Sequence, residues 1–314
     1  MPADLAQDGR IRENLVMTEP ADPWRDRAFL RDVQYKSDAN LAARQSIYSY
    51  QHPRIDLQAL VVDLAAVEPG ETVADVGCGN GRYLAELARR GLAGLIIGAD
   101  LSTGMLTAAR ERLSATVGPV KLRDSGESGP ADSAGPASSS GLAGSADLAG
   151  SAVLLAADAT ALPLRDGAAD LTLAMHMLYH APDPAQAARE LRRVTRTGGR
   201  VVIGLNGADH LRELREIVAA ASGNDRWKRR ERLTLDVGEA MARSCFSTVT
   251  RHDFVGQLRL PVKEPVADYL RSMSLTQAAD DPERHVAAVL SRLSAGPGAP
   301  FTITTHAGCL ICEV

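Results

Sequence analysis

Runs of Val, Ile, Leu and Ala predict β-strands along this chain at 72–76, 95–97, 153–155, 169–175, 201–205, 247–254 and 301–306. Apolar residues three and four apart predict helices between them, at 83–88, 187–194, 210–221, 236–245, 264–273 and 282–293. Two more helices precede the first strand. One covers 37–50, where Ser37 or Asp38 can cap the start and Pro53 ends it. The other has Leu57, Leu60, Val61 and Leu64 on a single stripe, and Pro69-Gly70 breaks it before the strand. Residues 1–30 are polar and contain prolines, which predicts an irregular start.

Two regions depart from this alternation. From Ser125 to Gly150 the chain is almost wholly Gly, Ala, Ser, Pro and Asp, with a near-repeat of Leu-Ala-Gly-Ser-Ala at 142–146 and 148–152. Such a composition cannot bury enough apolar surface to offset chain entropy, so 124–151 reads as a disordered surface insertion. The run Arg226-Trp227-Lys228-Arg229-Arg230-Glu231-Arg232 reads as a solvated basic face, with an anionic partner as the sharper alternative.

The most informative stretch is Thr72-Val73-Ala74-Asp75-Val76-Gly77-Cys78-Gly79-Asn80-Gly81-Arg82, a strand that enters three alternating glycines and then a helix. Glycine permits a sharp turn with positive φ and lets a ligand lie against main chain, while the helix N-terminus favours negative groups. The spacing is G-x-G-x-G. A dinucleotide fingerprint asks for a small residue where this chain has Arg82. A second acid, Asp100, ends the run Leu95-Ile96-Ile97, and a carboxylate there can accept two hydrogen bonds from a ribose diol. Dehydrogenases place an acid similarly, so Asp100 alone does not separate the classes.

Residues 73–81 resemble the first motif of class I S-adenosylmethionine-dependent methyltransferases, of the small-molecule, UbiE-like type. Three further strings match in order and distance: Gly98-Ala99-Asp100-Leu101-Ser102, Ala157-Asp158-Ala159-Thr160 followed by Leu162-Pro163, and 169–180 followed by Pro182-Asp183-Pro184. The segment Arg193–Arg200 resembles the family's glycine-closed helix stop, with Gly199 expected in the left-handed end. The resemblance implies an α/β, Rossmann-like doubly wound sheet of seven strands in the order 3-2-1-4-5-7-6, strand 7 antiparallel. It further implies an N-terminal helical lid at 1–55, a methyltransferase domain at 56–314, and substrate-cover segments at 207–235 and 258–298.

It also implies roles. S-adenosylmethionine would be held by Asp75, Gly77, Cys78, Gly79, Asn80 and Gly81, by Asp100 and Leu101 at the ribose, and by Met105 near the adenine. Asp158 would accept from the adenine amino group, the Ala159 N–H would meet a ring nitrogen, and Met175 would close the cleft. His176, nearest the tip of the fourth strand, is the candidate general base, since an unperturbed histidine pKa near 6.5 suits proton transfer. His180 falls where the family has a structural histidine. Tyr179 would line the acceptor pocket, and Tyr35, Asn40, Arg44 and Tyr48 would face it from the lid, the last three sharing one helical face.

Composition narrows the partners. With 35 basic and 39 acidic side chains the net charge is −4, which gives no electrostatic footprint for nucleic acid. No apolar run approaches the ~18 residues of a membrane span, and the start Met1-Pro2-Ala3-Asp4 lacks the regions of a signal peptide, so a cytoplasmic protein is expected. Of four cysteines, Cys309 and Cys312 form a C-x-x-C, but strand positions three apart face opposite ways and cannot share a metal. The expected reaction is methylation of a small molecule at O, N or C. The alternatives are an NAD-dependent oxidoreductase and a non-catalytic module that binds S-adenosylmethionine.

Overall fold

A computed structural model describes residues 25–91, 93–117, 121–123, 151–223, 233–277, 279–293 and 300–314. The basic run at 226–232 and most of the expected insertion, 124–150, lie outside the described residues. Residue 151 does not belong to the insertion, because Ser151 already begins a strand.

In chain order the strands are β1 (Gln51–His52), β2 (Glu71–Val76), β3 (Ala93–Asp100), β4 (Lys121–Arg123), β5 (Ser151–Ala156), β6 (Ala169–Met175), β7 (Thr195–Asn206), β8 (Thr248–Leu260) and β9 (Phe301–Glu313). The helices are α1 (Arg27–Phe29), α2 (Ala39–Ser46), α3 (Leu57–Leu64), α4 (Arg82–Arg90), α5 (Thr103–Val117), α6 (Pro184–Val194), α7 (Arg212–Ser222), α8 (Leu235–Cys245), α9 (Glu264–Arg271), α10 (Ser274–Gln277) and α11 (Pro282–Arg292).

The strands form one sheet in the order β1-β8-β9-β7-β6-β2-β3-β5-β4. Its seven central members reproduce 3-2-1-4-5-7-6, and β9 runs antiparallel to both β7 and β8. The sheet has nine strands rather than seven. The two additions are edge pieces, β1 on β8 and β4 on β5, too short to leave a periodic signal. β2 and β6 are buried nearly end to end, as parallel strands covered on both faces must be. One apolar layer includes Val76, Ile97 and Leu191, and the other includes Val73, Leu84 and Leu106.

The helix stop differs from expectation. α6 is capped at its start by Asp183, whose side chain accepts from the Gln186 N–H, but it ends on an extended Thr195. The left-handed glycine is Gly198, at φ 73°, and not Gly199, which is needed for closeness instead: a Cβ there would lie 2.6 Å from the Asp170 carbonyl.

β8 and β9 run well past the sheet's carboxyl edge. Beyond it, Leu258, Leu260 and Ile303 join Ile47 after α2, Val218 of α7, Val266 and Leu270 of α9, and Val286 and Val289 of α11 in a third apolar cluster. This cap shares strands with the sheet and stands over the tips of β2, β6 and β7.

Candidate functional site

The loop after β2 is stitched to the neighbouring strand. Gly77 and Cys78 donate their N–H groups to the Ala99 carbonyl at 2.7 and 3.0 Å, and Gly79 donates to Asp100 Oδ2 at 2.8 Å. Gly77 sits at φ 70°, and a Cβ there would lie 2.6 Å from Met177 Cβ, so any other residue would be strained and crowded. Gly81 caps α4 at φ 75°, and its missing Cβ makes room for Ala109 of α5 at 2.9 Å. Gly81 therefore serves helix packing and stands outside the cavity lining, unlike Gly77, Cys78, Gly79 and Asn80.

That cavity measures about 1260 Å³ and lies between the carboxyl ends of the strands and the lid. Asp75, Asp100 and Leu101 line it, as do Met105, Asp158, Ala159, Met175 and His176. Asp100 is fixed from both sides, Oδ1 accepting from the Ser102 N–H at 2.8 Å and Oδ2 from Gly79; burial raises its pKa and these amides oppose the rise. Asp158 Oδ1 accepts from the Thr160 N–H and hydroxyl at 2.8 and 2.7 Å, and Oδ2 pairs with Arg27 of α1 at 2.5 Å.

Asp75 differs from the other two acids. It is 1% exposed, and neither carboxylate oxygen has a hydrogen-bond partner among the described residues. Burial, and next the charge of Asp100, push its pKa up to about 8. Such a group is costly to keep unless something enters to pair with it.

The lid supplies an opposite charge. Arg44 of α2 is 9% exposed, its guanidinium lies 5.1 Å from the centre of the Tyr35 ring, and its Nη2 has no partner among the described residues. Tyr35 is anchored twice, its hydroxyl hydrogen-bonded to His180 Nε2 at 2.9 Å and its carbonyl accepting from Ser102 Oγ at 2.7 Å. Tyr48 reaches His210 Nε2 at 2.9 Å. Tyr35, Arg44 and Tyr48 line the cavity, whereas Asn40 does not: its amide donates to the Gln34 carbonyl at 3.1 Å and its oxygen accepts from Gln277. Of the expected helical face, Arg44 and Tyr48 reach the cavity although a tighter turn over Ile47–Tyr50 follows α2 at Ser46, and Asn40 is held away by Gln34 and Gln277.

After β6, His176 takes φ 55°, and its N–H donates to the Gly204 carbonyl at 2.9 Å. Burial pushes its pKa down to about 4, so the imidazole is neutral at physiological pH. The expected pKa near 6.5 is thereby corrected. Tyr179 and His180 follow on a short turn, with their rings edge to face at 4.6 Å, and both line the cavity. Cys309 and Cys312 sit in opposite apolar layers, and no metal-binding cluster occurs among the described residues. Sequence reasoning missed Arg27, Tyr83, His210 and Thr305, which line the cavity from four separate segments. None lies within a recognisable motif except Tyr83, which immediately follows the glycine loop.

Two family models, each described as a methyltransferase domain, match residues 73–126 and 137–203. These matches and the fold support a class I S-adenosylmethionine-dependent methyltransferase. The chain is 34% identical over 137 residues to the methyltransferase GfsG of Streptomyces halstedii, covering 44% of this chain and 38% of that protein. It is 27% identical over 221 residues to an uncharacterized methyltransferase of Mycobacterium tuberculosis, covering 69% and 70%. The chain spans 33%, 46% and 38% of the length of three curated relatives it matches. The YcgJ protein of Bacillus subtilis shares the fold, with TM-score 0.52, 16% identity, and coverage of 82% of this chain and 97% of that one. Haemonchus contortus phosphoethanolamine N-methyltransferase 2, solved with S-adenosylhomocysteine, gives 0.50, 16%, 92% and 60%.

Methyltransferases of this class use S-adenosylmethionine, and the cavity fits its amino-acid end. That end is a zwitterion, and the cavity wall holds an unpartnered carboxyl on Asp75 and an unpartnered guanidinium nitrogen on Arg44. No helix among the described residues is long and apolar enough to cross a membrane.

Proposed function

We propose that this protein transfers a methyl group from S-adenosylmethionine to a small-molecule acceptor held under the cap. The observation that carries the reading is the pair of buried groups in one cavity, the Asp75 carboxyl and the Arg44 guanidinium Nη2, that have no hydrogen-bond partner among the described residues. A nicotinamide dinucleotide has no α-amino acid end to satisfy them. In this reading Asp75 takes the ammonium and Arg44 the carboxylate. Asp100 takes the ribose diol, Asp158 and Ala159 the adenine edge, and Leu101 and Met105 pack on the ring. Gly77, Cys78, Gly79 and Asn80 shape the floor.

The bound cofactor supplies an electrophilic methyl on a good leaving group, and in-line attack needs mainly alignment and exclusion of water. From the cover segments at 207–235 and 258–298, His210, Leu233 and Tyr269 line the cavity, and with Tyr48, Tyr179 and Met175 they form the wall of the acceptor end. His176 is the proton acceptor. Its low basicity is adequate, because an O–H or N–H nucleophile becomes strongly acidic as it takes the methyl. Incubation with methyl-labelled cofactor and a panel of phenols, amines and activated carbon acids tests the proposal. Label should pass to one class, and His176→Ala should slow its transfer at least tenfold without weakening cofactor binding. Label transfer to none of the panel, with hydride transfer from a nicotinamide cofactor instead, would overturn it.

A further inference from the structure

The cavity wall carries a buried polar atom that the reading above leaves unused, the hydroxyl of Tyr83. Tyr83 is the second residue of α4, so the left-handed Gly81 that starts the helix also sets its direction. Its ring packs in the apolar layer with Leu84 and Leu87, and the residue is 8% exposed. Its oxygen lines the same cavity as Asp75 and finds no hydrogen-bond partner among the described residues. The two groups feel each other: after burial, the charge of Asp75 is what most raises the Tyr83 pKa.

An unpartnered buried hydroxyl costs about 1–3 kcal/mol. A phenylalanine would fill the same space without that cost, so the oxygen calls for a ligand. We infer that Tyr83 is a cofactor-positioning residue whose hydroxyl oxygen joins the two Asp75 oxygens as the third acceptor for an ammonium group. The inference rests on the proposed methyltransferase reading. An ammonium carries three N–H donors, and in a dry site each needs an acceptor. Asp75 supplies two oxygens, and Tyr83 supplies the third from the adjoining helix. The unpartnered Arg44 nitrogen on the lid supplies the counterpart for a carboxylate, so the ligand class is an α-amino acid zwitterion.

Calorimetric titration with S-adenosylhomocysteine and with its analogue lacking the α-amino group separates this from a packing role. Wild-type protein should bind S-adenosylhomocysteine far more tightly than the analogue. Tyr83→Phe should weaken S-adenosylhomocysteine about tenfold, leave the analogue within twofold, and keep or raise the melting temperature of the free protein. Tyr83→Met offers the same comparison should the phenylalanine variant not be recovered folded. Unchanged affinity for S-adenosylhomocysteine, or equal weakening of both compounds, would overturn the inference while leaving the cofactor reading intact. Failure of wild-type protein to bind S-adenosylhomocysteine would overturn both.

Discussion

The two ends of the cavity are built differently. In the proposed reading the cofactor end comes from strand tips and the short turns beside them: Asp75 within β2 and Gly77 just after it, Asp100 at the end of β3, Asp158 after β5. Its acids at 100 and 158 are already oriented by Ser102, Gly79, Thr160 and Arg27. The proposed acceptor end is assembled from the N-terminal helices, the β8–β9 extension and the cap helices, which meet only in the folded chain. The contrast shows where specificity can change. The first end is fixed by main-chain hydrogen bonds in a parallel sheet, whereas the second depends on side chains carried by separate elements.

The sharpest break of this comparison is Asp75→Asn. It should weaken S-adenosylhomocysteine about 100-fold, the order expected for a desolvated charge-assisted contact. It should also raise the melting temperature of the free protein, because it removes a buried carboxyl that has no partner. The acid's pH dependence follows. Its pKa is about 8 in the folded chain against an ordinary value of 3.8, so the folded state holds the extra proton between those limits. Stability from this group is therefore full below about pH 4 and falls as pH rises toward 8. Asp100 acts in the same direction, since its negative charge disfavours ionisation of Asp75. Binding of an ammonium needs the ionised form, so affinity should climb between pH 6 and pH 7.5 with release of a proton, measurable by calorimetry in buffers of different ionisation enthalpy.

Next comes Arg44→Met, which should weaken S-adenosylhomocysteine between tenfold and 100-fold without loss of fold, because the guanidinium has no carboxylate partner to orphan. Gly81→Ala sharpens the contrast from the other side. A side chain at φ 75° and 2.9 Å from Ala109 Cβ should cost about 1–3 kcal/mol of stability, read as a fall in denaturation midpoint, while the affinity of the folded fraction stays within a few-fold. Asn40→Ala should have the smallest effect, no measurable change in affinity, since its amide is spent on Gln34.

The same contrast explains what the sequence made legible. The seven central strands are legible as contiguous apolar runs with glycine punctuation, their order came only with the family resemblance, and Asp75, Asp100, Asp158 and Met175 all line one cavity. Gly81 was a packing glycine because an identical spacing serves both turn and close helix contact. Asn40 is spent on Gln34 and Gln277, tertiary partners that residue spacing does not reveal. Burial lowers the pKa of His176, and burial is set by tertiary packing that residue spacing does not show. Arg27 and His210 left no signal, since their partners, Asp158 and Tyr48, lie more than 100 residues away.

The most direct test of the central claim is calorimetric titration of wild-type protein with S-adenosylhomocysteine and, separately, with NAD. Saturable one-to-one heat with the first and none with the second is the expected result. Heat with NAD and none with S-adenosylhomocysteine would contradict it.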